Sequence, residues 1–334
     1  AGDARIAFGL AIGDAEKEES RGRLRLIVWR KGARQNIVLK LRVMGGYSDT
    51  SPYDCPKSKK ILDDGCRFIA RKKEFGRFSI GALALLASGK EEYLGLVKEE
   101  ARRVTPSDAD ILNMPKEEGM RCWGYAYNGI FLSEYNLATG DKSVLPGVRA
   151  YAINLAEGQG CYGTWGHGTS DKTADGKLHG PIPPYGALNQ AGLACYMSLI
   201  LAQKCGVEHP EIPAAIGRST QFFGYYVGKG AIPYGEHPPV VNSNNDNGKN
   251  ATAAIAFSLL GRRRETQFFS KTVTASFWDR EWGHTGPFFG YMWGGPGANC
   301  GGPKALAAYM KELRWQFDLA RKWDGSFAYD PTIG

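Results

Sequence analysis

Ala187 to Gly206 reads ALNQAGLACYMSLILAQKCG. Its apolar residues fall all round a helical wheel instead of in one stripe, so the helix it forms has to be buried on every side. Gly206 follows as the expected C-cap, and the short turn Cys205-Gly-Val-Glu208 leads into the next helical stretch. Gly248 to Leu260, GKNATAAIAFSLL, repeats the apolar-all-round pattern. By contrast, 91–104 (EEYLGLVKEEARRV) and 302–322 carry charged faces and suit an outer layer.

Outward from this stretch the same punctuation recurs. Glycines close helical stretches at Gly89, Gly140, Gly206 and Gly261, with spacings of 51, 66 and 55 residues. A period of that size signals stacked supersecondary units. Five glycine-aromatic loops precede the helical stretches: Phe75 to Gly81 (FGRFSIG), Cys122 to Tyr125 (CWGY), Tyr162 to Gly168 (YGTWGHG), Ile232 to His237 (IPYGEH) and Trp278 to His284 (WDREWGH). The patterning predicts helices near 57–72, 79–88, 91–104, 123–139, 143–157, 186–205, 210–228, 248–260, 263–276, 284–292 and 302–322. Short turns and long loops alternate between them, as in an array of helical hairpins with one buried and one exposed helix per pair.

The first 45 residues differ. Residues 5–19 read as a short amphipathic helix. Leu24 to Arg30 and Gln35 to Val43 largely alternate apolar and polar and are joined by Lys31-Gly-Ala-Arg34, which predicts a β-hairpin. The expected division is therefore 1–45 as a small α+β module and 46–334 as the helical array.

Composition is that of an ordinary globular chain, with 43% hydrophobic and 23% charged residues among 334. No apolar run reaches the length of a membrane helix. The first residues lack a basic, then apolar, leader pattern, so any signal peptide is expected to be already removed or never present, and a secreted or periplasmic setting is the expectation. Forty-two Lys and Arg against 34 Asp and Glu give a net charge of +8, much of it in the N-terminal third. That balance favours an acidic partner without a specific nucleic-acid signal. The seven cysteines form no C-x-x-C pair, so neither a zinc ribbon nor a redox motif is expected, and no metal or cofactor is assigned. Cys195 and Cys205 read as small core residues, while a Cys55–Cys66 disulfide is left open by spacing alone.

The stretch from Trp123 to Tyr329, with WGYAYNGIFLSEYNLATGD, GTWGHG, YGALNQAGL, AIPYGEH, NGKNATAAIAF, GHTGPFF and LARKWDGSF, resembles an uncharacterised bacterial family that joins a PDZ-like module to an α/α toroid. The toroid superfamily includes terpenoid cyclases, prenyltransferase β-subunits, (α/α)6 glycosidases and polysaccharide lyases. The resemblance implies a mainly α fold of about six hairpins, the last incomplete, with a partial PDZ-like module before it. It also implies that the sequence is part of a longer protein, and that the N-terminal module could dock a protein partner. In a toroid the inner-helix N-termini converge on a central funnel that favours anionic or oxygen-rich groups. No D-x-D-D, D-D-x-x-D or Cys-x-Glu-Gln segment occurs, which leaves carbohydrate chemistry as the best fit.

Three of the five histidines, His167, His237 and His284, occupy equivalent rim loops. Imidazole there serves as a general base, or packs and caps a repeat. Tyr185 and Tyr234 are candidate proton carriers, and Glu236 and Glu281 candidate rim carboxylates alongside Asp279 and Asp324. Asn189, Asn247 and Lys249 lie at inner-helix starts, where they would neutralise a uronate carboxylate or simply cap the helix. Trp123, Tyr125, Trp165 and Trp282 would stack on sugar rings or wedge between helices. The expectation is a polysaccharide lyase or hydrolase acting on an acidic polysaccharide in the funnel. The alternatives are a non-catalytic binding or scaffold protein using the rim and the PDZ-like segment, and, more weakly, an isoprenoid-type cyclase or transferase.

Overall fold

A computed structural model of the chain describes residues 3–76, 78–112, 120–183, 185–239, 248–276, 281 and 287–328. The chain is mainly helical, with 58% of the described residues in helices, and has a small two-stranded antiparallel sheet near the N-terminus. Contacts group the described residues of 1–71 and 302–330 into one compact unit and those of 72–301 into another.

In the first unit, helix α1 (Ala4–Ala15) starts at Asp3, whose carboxylate accepts from the Arg5 N–H. Strands β1 (Arg23–Arg30) and β2 (Ala33–Lys40) pair Arg30 with Ala33 across a two-residue turn. Both turn residues, Lys31 and Gly32, have positive φ, 53° and 74°. This is the geometry that matches the twist of a tight hairpin, and it makes the loop shorter than the four residues read from the sequence. Helix α2 (Pro56–Lys72) follows, and the last helix, α13 (Pro303–Ala320), returns to pack on α1. The two helices approach so closely that a methyl group at Gly9 would collide with the Trp315 carbonyl. Helix α13 therefore does not serve as an outer helix of the array, as its charged face suggested.

A group of buried charges closes this unit. Lys57, fully enclosed, places Nζ 2.9 Å from Glu16 and 2.9 Å from Asp318. Arg321 reaches Glu16 at 2.7 Å, and the Tyr47 hydroxyl donates to Asp318 at 3.0 Å. Burial pushes the Asp318 carboxyl upward, and the adjacent Lys57 ammonium works against that shift. No disulfide joins Cys55 and Cys66, both of which are free thiols. The Cys55 sulfur instead accepts from the backbone N–H groups of Ser48 and Ser58, each at 3.4 Å.

The second unit is built of helical pairs: α3 (Ile80–Ala87) with α4 (Leu94–Val104), α6 (Arg121–Thr139) with α7 (Leu145–Glu157), α8 (Asn189–Lys204) with α9 (Glu211–Gly224), and α10 (Lys249–Leu259) with α11 (Arg263–Ala275). A short helix α5 (Asp108–Leu112) lies between the first two pairs, and α12 (Phe288–Asn299) follows the fourth. The first helix of each pair also packs on the first helix of the next, in the order α3, α6, α8, α10, α12.

Burial follows the sequence pattern. Helix α8 buries fourteen of its sixteen residues. Helix α11 buries only Thr266, Phe269, Ser270 and Val273, a single stripe at i, i+3, i+4, i+7. The closing glycines Gly89, Gly140, Gly206 and Gly261 all have positive φ, as left-handed helix ends require.

Where the first helices face one another, their aromatic side chains fill the space. Phe78, Trp123, Tyr127, Phe289 and Trp293 stack in series with centroid separations of 5.1–6.4 Å, and the Trp293 indole N–H donates to the Tyr127 hydroxyl at 3.1 Å. These rings bury large apolar area and pin α6 to α12.

Candidate functional site

A cleft of about 630 Å³ lies in the second unit, within the ~300–1,000 Å³ typical of ligand pockets. Its lining comes from the start of α6 (Met120, Arg121), the end of α7 (Asn154, Glu157) and the long α7–α8 loop (including His167, Asp171, Lys172 and Tyr185).

Backbone bonds fix that loop against the helix starts. The Cys122 N–H donates to the His167 carbonyl at 2.9 Å, and the Leu188 N–H to the Trp165 carbonyl at 2.8 Å. These bonds satisfy first-turn groups that α6 and α8 would otherwise leave unpaired. Trp165 is fully buried and donates from Nε1 to the Leu155 carbonyl, which makes it a packing wedge beneath the loop instead of a sugar platform.

His167 is held by its ring. The Trp123 Nε1–H donates to its Nδ1 at 2.9 Å. An indole nitrogen only donates, so Nδ1 has to accept, and the neutral ring carries its hydrogen on Nε2. In that tautomer His167 offers a donor, which conflicts with the role of general base expected for it. Tyr185, 56% exposed, sets its ring 5.3 Å from the imidazole and its hydroxyl 3.1 Å from that of Tyr234. Burial and then the bond to Tyr185 push the Tyr234 hydroxyl upward, and either hydroxyl of the pair can donate to the other.

The other expected residues separate into groups. Asn189 is fully buried; its amide donates to the Pro233 and Gly235 carbonyls at 3.1 and 2.8 Å, and its oxygen accepts from Thr164 at 3.1 Å. With its N–H also bound to the Tyr234 carbonyl, Asn189 ties two rim loops to the start of α8. It has nothing left for a substrate carboxylate. Lys249, the first residue of α10, is fully buried.

His237 and Glu236 are exposed and do not line the cleft, although the Glu236 carboxylate comes near Gly186, the residue after Tyr185. Glu281 accepts from the Tyr291 hydroxyl at 3.1 Å. Trp123 is buried in the aromatic series, and Tyr125 packs its ring on Tyr151 at 5.4 Å. Asp324 belongs to the first unit, where it accepts from Ser326. His284, Trp282, Asn247 and Asp279 lie outside the described residues.

Arg121 was not singled out by the sequence. It is the first residue of α6, 8% exposed, and among the described residues neither Nη1 nor Nη2 has a hydrogen-bond partner. The signal available was a cation directly before Cys122-Trp-Gly-Tyr125, a stretch that reads as a loop in the sequence and forms the first turn of α6 in the structure.

Among the described residues no group of three His, Cys, Asp or Glu side chains is placed to hold a metal ion, and no helix is long and apolar enough to cross a membrane. No curated protein and no solved structure matches the chain, and no PDZ or toroid family is identified. The family described as a domain of unknown function, DUF6288, matches residues 58–333, and to that family the chain belongs.

Proposed function

We propose that the helical pairs of the second unit form part of an α/α toroid, and that its cleft acts on a polysaccharide by β-elimination. Serial packing of α3, α6, α8, α10 and α12, with α4, α7, α9 and α11 outside them, supports the toroid reading.

The observation that carries the chemistry is the Tyr185 hydroxyl, exposed beside the cleft between the His167 ring and the Tyr234 hydroxyl. A hydroxyl that shares one hydrogen bond and faces solvent is placed to move a proton to or from a bound sugar. In this reading Tyr185, as the tyrosinate, takes the proton α to the substrate carboxylate and becomes the phenol, while the electron pair left on carbon forms a carbon–carbon double bond. The glycosidic C–O bond β to the carboxylate breaks, and its oxygen takes that proton from the Tyr185 hydroxyl, which returns to the tyrosinate. Tyr234 donates to the Tyr185 oxygen while that oxygen carries the charge.

The test is absorbance of unsaturated uronate products on a panel of acidic polysaccharides. The wild-type protein produces the signal, and Tyr185→Phe loses it while keeping its fold. No signal from a folded wild-type protein on any uronate polymer sinks the lyase reading.

One observation favours the non-catalytic alternative, a binding module at the same cleft. His237 and Glu236, expected to act on substrate, do not line it. Saturable binding of an unmodified polymer, without new chain ends, would select that alternative.

A further inference from the structure

The geometry points to Arg121 as the recognition residue for a carboxylate carried by the ligand of the α6–α7 cleft. This rests on the reading of the cleft as a uronate site and adds to it the residue that recognises the carboxylate. Arg121 lines the cleft at the first position of α6, where the preceding Met120 offers no capping side chain and the first turn holds no acidic residue. Among the described residues, the first turn therefore offers no acidic side chain to offset the positive end of that helix.

Both Nη atoms are buried without a hydrogen-bond partner. The cleft does contain acidic side chains, Glu157 and Asp171, yet among the described residues neither pairs with Arg121. Glu157 instead has His209 at 4.0 Å. An enclosed guanidinium with nothing to bind is costly, and the planar fork fits a carboxylate through two parallel N–H···O bonds. His167 and Tyr185 add ring faces and polar tips to the same lining, which suits a sugar ring bearing that carboxylate.

Calorimetric titration tests the assignment with four probes: a short oligo-uronate, its carboxyl-reduced neutral counterpart, acetate and inorganic phosphate. The wild-type protein binds the oligo-uronate and binds the neutral counterpart at least about tenfold more weakly, since a charged hydrogen-bond pair is worth about that factor or more. Arg121→Gln brings the two oligosaccharides to the same weak affinity, and Arg121→Lys, which keeps charge but not the fork, falls between.

Thermal unfolding supplies the second readout. Ligand-free Arg121→Met unfolds at the same or a higher temperature than wild type, because an unpaired buried charge has been removed. Equal binding of acidic and neutral oligosaccharides, unchanged affinity in Arg121→Gln, or no oligo-uronate binding at all overturns the assignment. So does acetate or phosphate binding as tightly as the oligo-uronate, which would make the site one for small anions. Arg121-dependent oligo-uronate binding without unsaturated product leaves the assignment standing and removes only the elimination chemistry.

Discussion

Lys57 and Arg121 are both buried cations, one in each compact unit, and they differ in what surrounds them. Lys57 meets Glu16 and Asp318 at 2.9 Å, with Arg321 and Tyr47 completing the set. Among the described residues, Arg121 meets no acceptor at either Nη atom. A buried charge that is compensated within its own unit is architecture, whereas one left uncompensated beside a cleft is reserved for a ligand. The contrast separates the two roles without reference to the identity of the residue.

The largest expected effect comes from breaking the compensated side. Lys57→Met leaves the enclosed Asp318 with only the more distant Arg321, at 3.6 Å, and should lower stability by about 3–5 kcal/mol, read from urea denaturation. Burial already pushes Asp318 upward, and losing Lys57 pushes it further. A carboxyl whose folded pKa is raised penalises the fold fully above that pKa, and the penalty fades as pH falls toward its unfolded value. The deficit of Lys57→Met should therefore shrink in acid. Adding Asp318→Leu should recover most of it at neutral pH, with the Glu16–Arg321 pair intact. A deficit that is small, or that widens in acid, would show that the cluster does not act as a compensated set.

Next in size is Asn189→Ala. It strands the Pro233 and Gly235 carbonyls and the Thr164 hydroxyl, so a loss of about 2–4 kcal/mol follows from buried groups left unpaired. Tyr185→Phe is its counterpart on the functional side. Among the described residues the exposed hydroxyl bonds only to Tyr234, so stability should change by less than about 0.5 kcal/mol while turnover on a uronate polymer disappears. If Asn189→Ala kept its melting temperature and lost only ligand affinity, the reading of Asn189 as a loop tie would fail.

These two residues also show how far the sequence reaches. The starts and ends of α8 and α10 were legible to within three residues, because an apolar-all-round stretch bounded by a left-handed glycine admits few alternatives. Helix α12 was placed early and cut short, since Gly294-Gly-Pro-Gly297 reads as a loop. Those residues are helical because α12 lies against α10 at Gly297, where a Cβ would come within 2.6 Å of the Ala251 Cα. Propensity yielded there to close packing.

The site was legible in part. His167 and Tyr234 sit on two of the glycine-aromatic loops that the repeat pattern located, and Tyr185, just before α8, comes next to both. Asn189 and Arg121 share a position at the start of an inner helix, and composition alone cannot tell which has partners. That depends on backbone carbonyls delivered from Pro233 and Gly235, more than 40 residues away from Asn189. The role of His167 depends similarly on an indole N–H supplied by Trp123 on another helix.

A pH-dependent effect extends the contrast to a group that is neither unpaired nor ion-paired. Burial works to raise the Cys55 thiol, but N–H donors from Ser48 and Ser58 hold it down at about 6. Between that value and the ordinary cysteine value the folded chain carries a thiolate while the unfolded chain still binds a proton. Stability should accordingly rise with pH across about 6 to 9, and Cys55→Ser should remove that slope without removing the fold. Urea midpoints at the two ends of the window, compared between wild type and variant, measure it. Parallel pH profiles would mean that two backbone donors do not compensate a buried sulfur anion, and that in this unit compensation requires an opposite charge, as it has at Lys57.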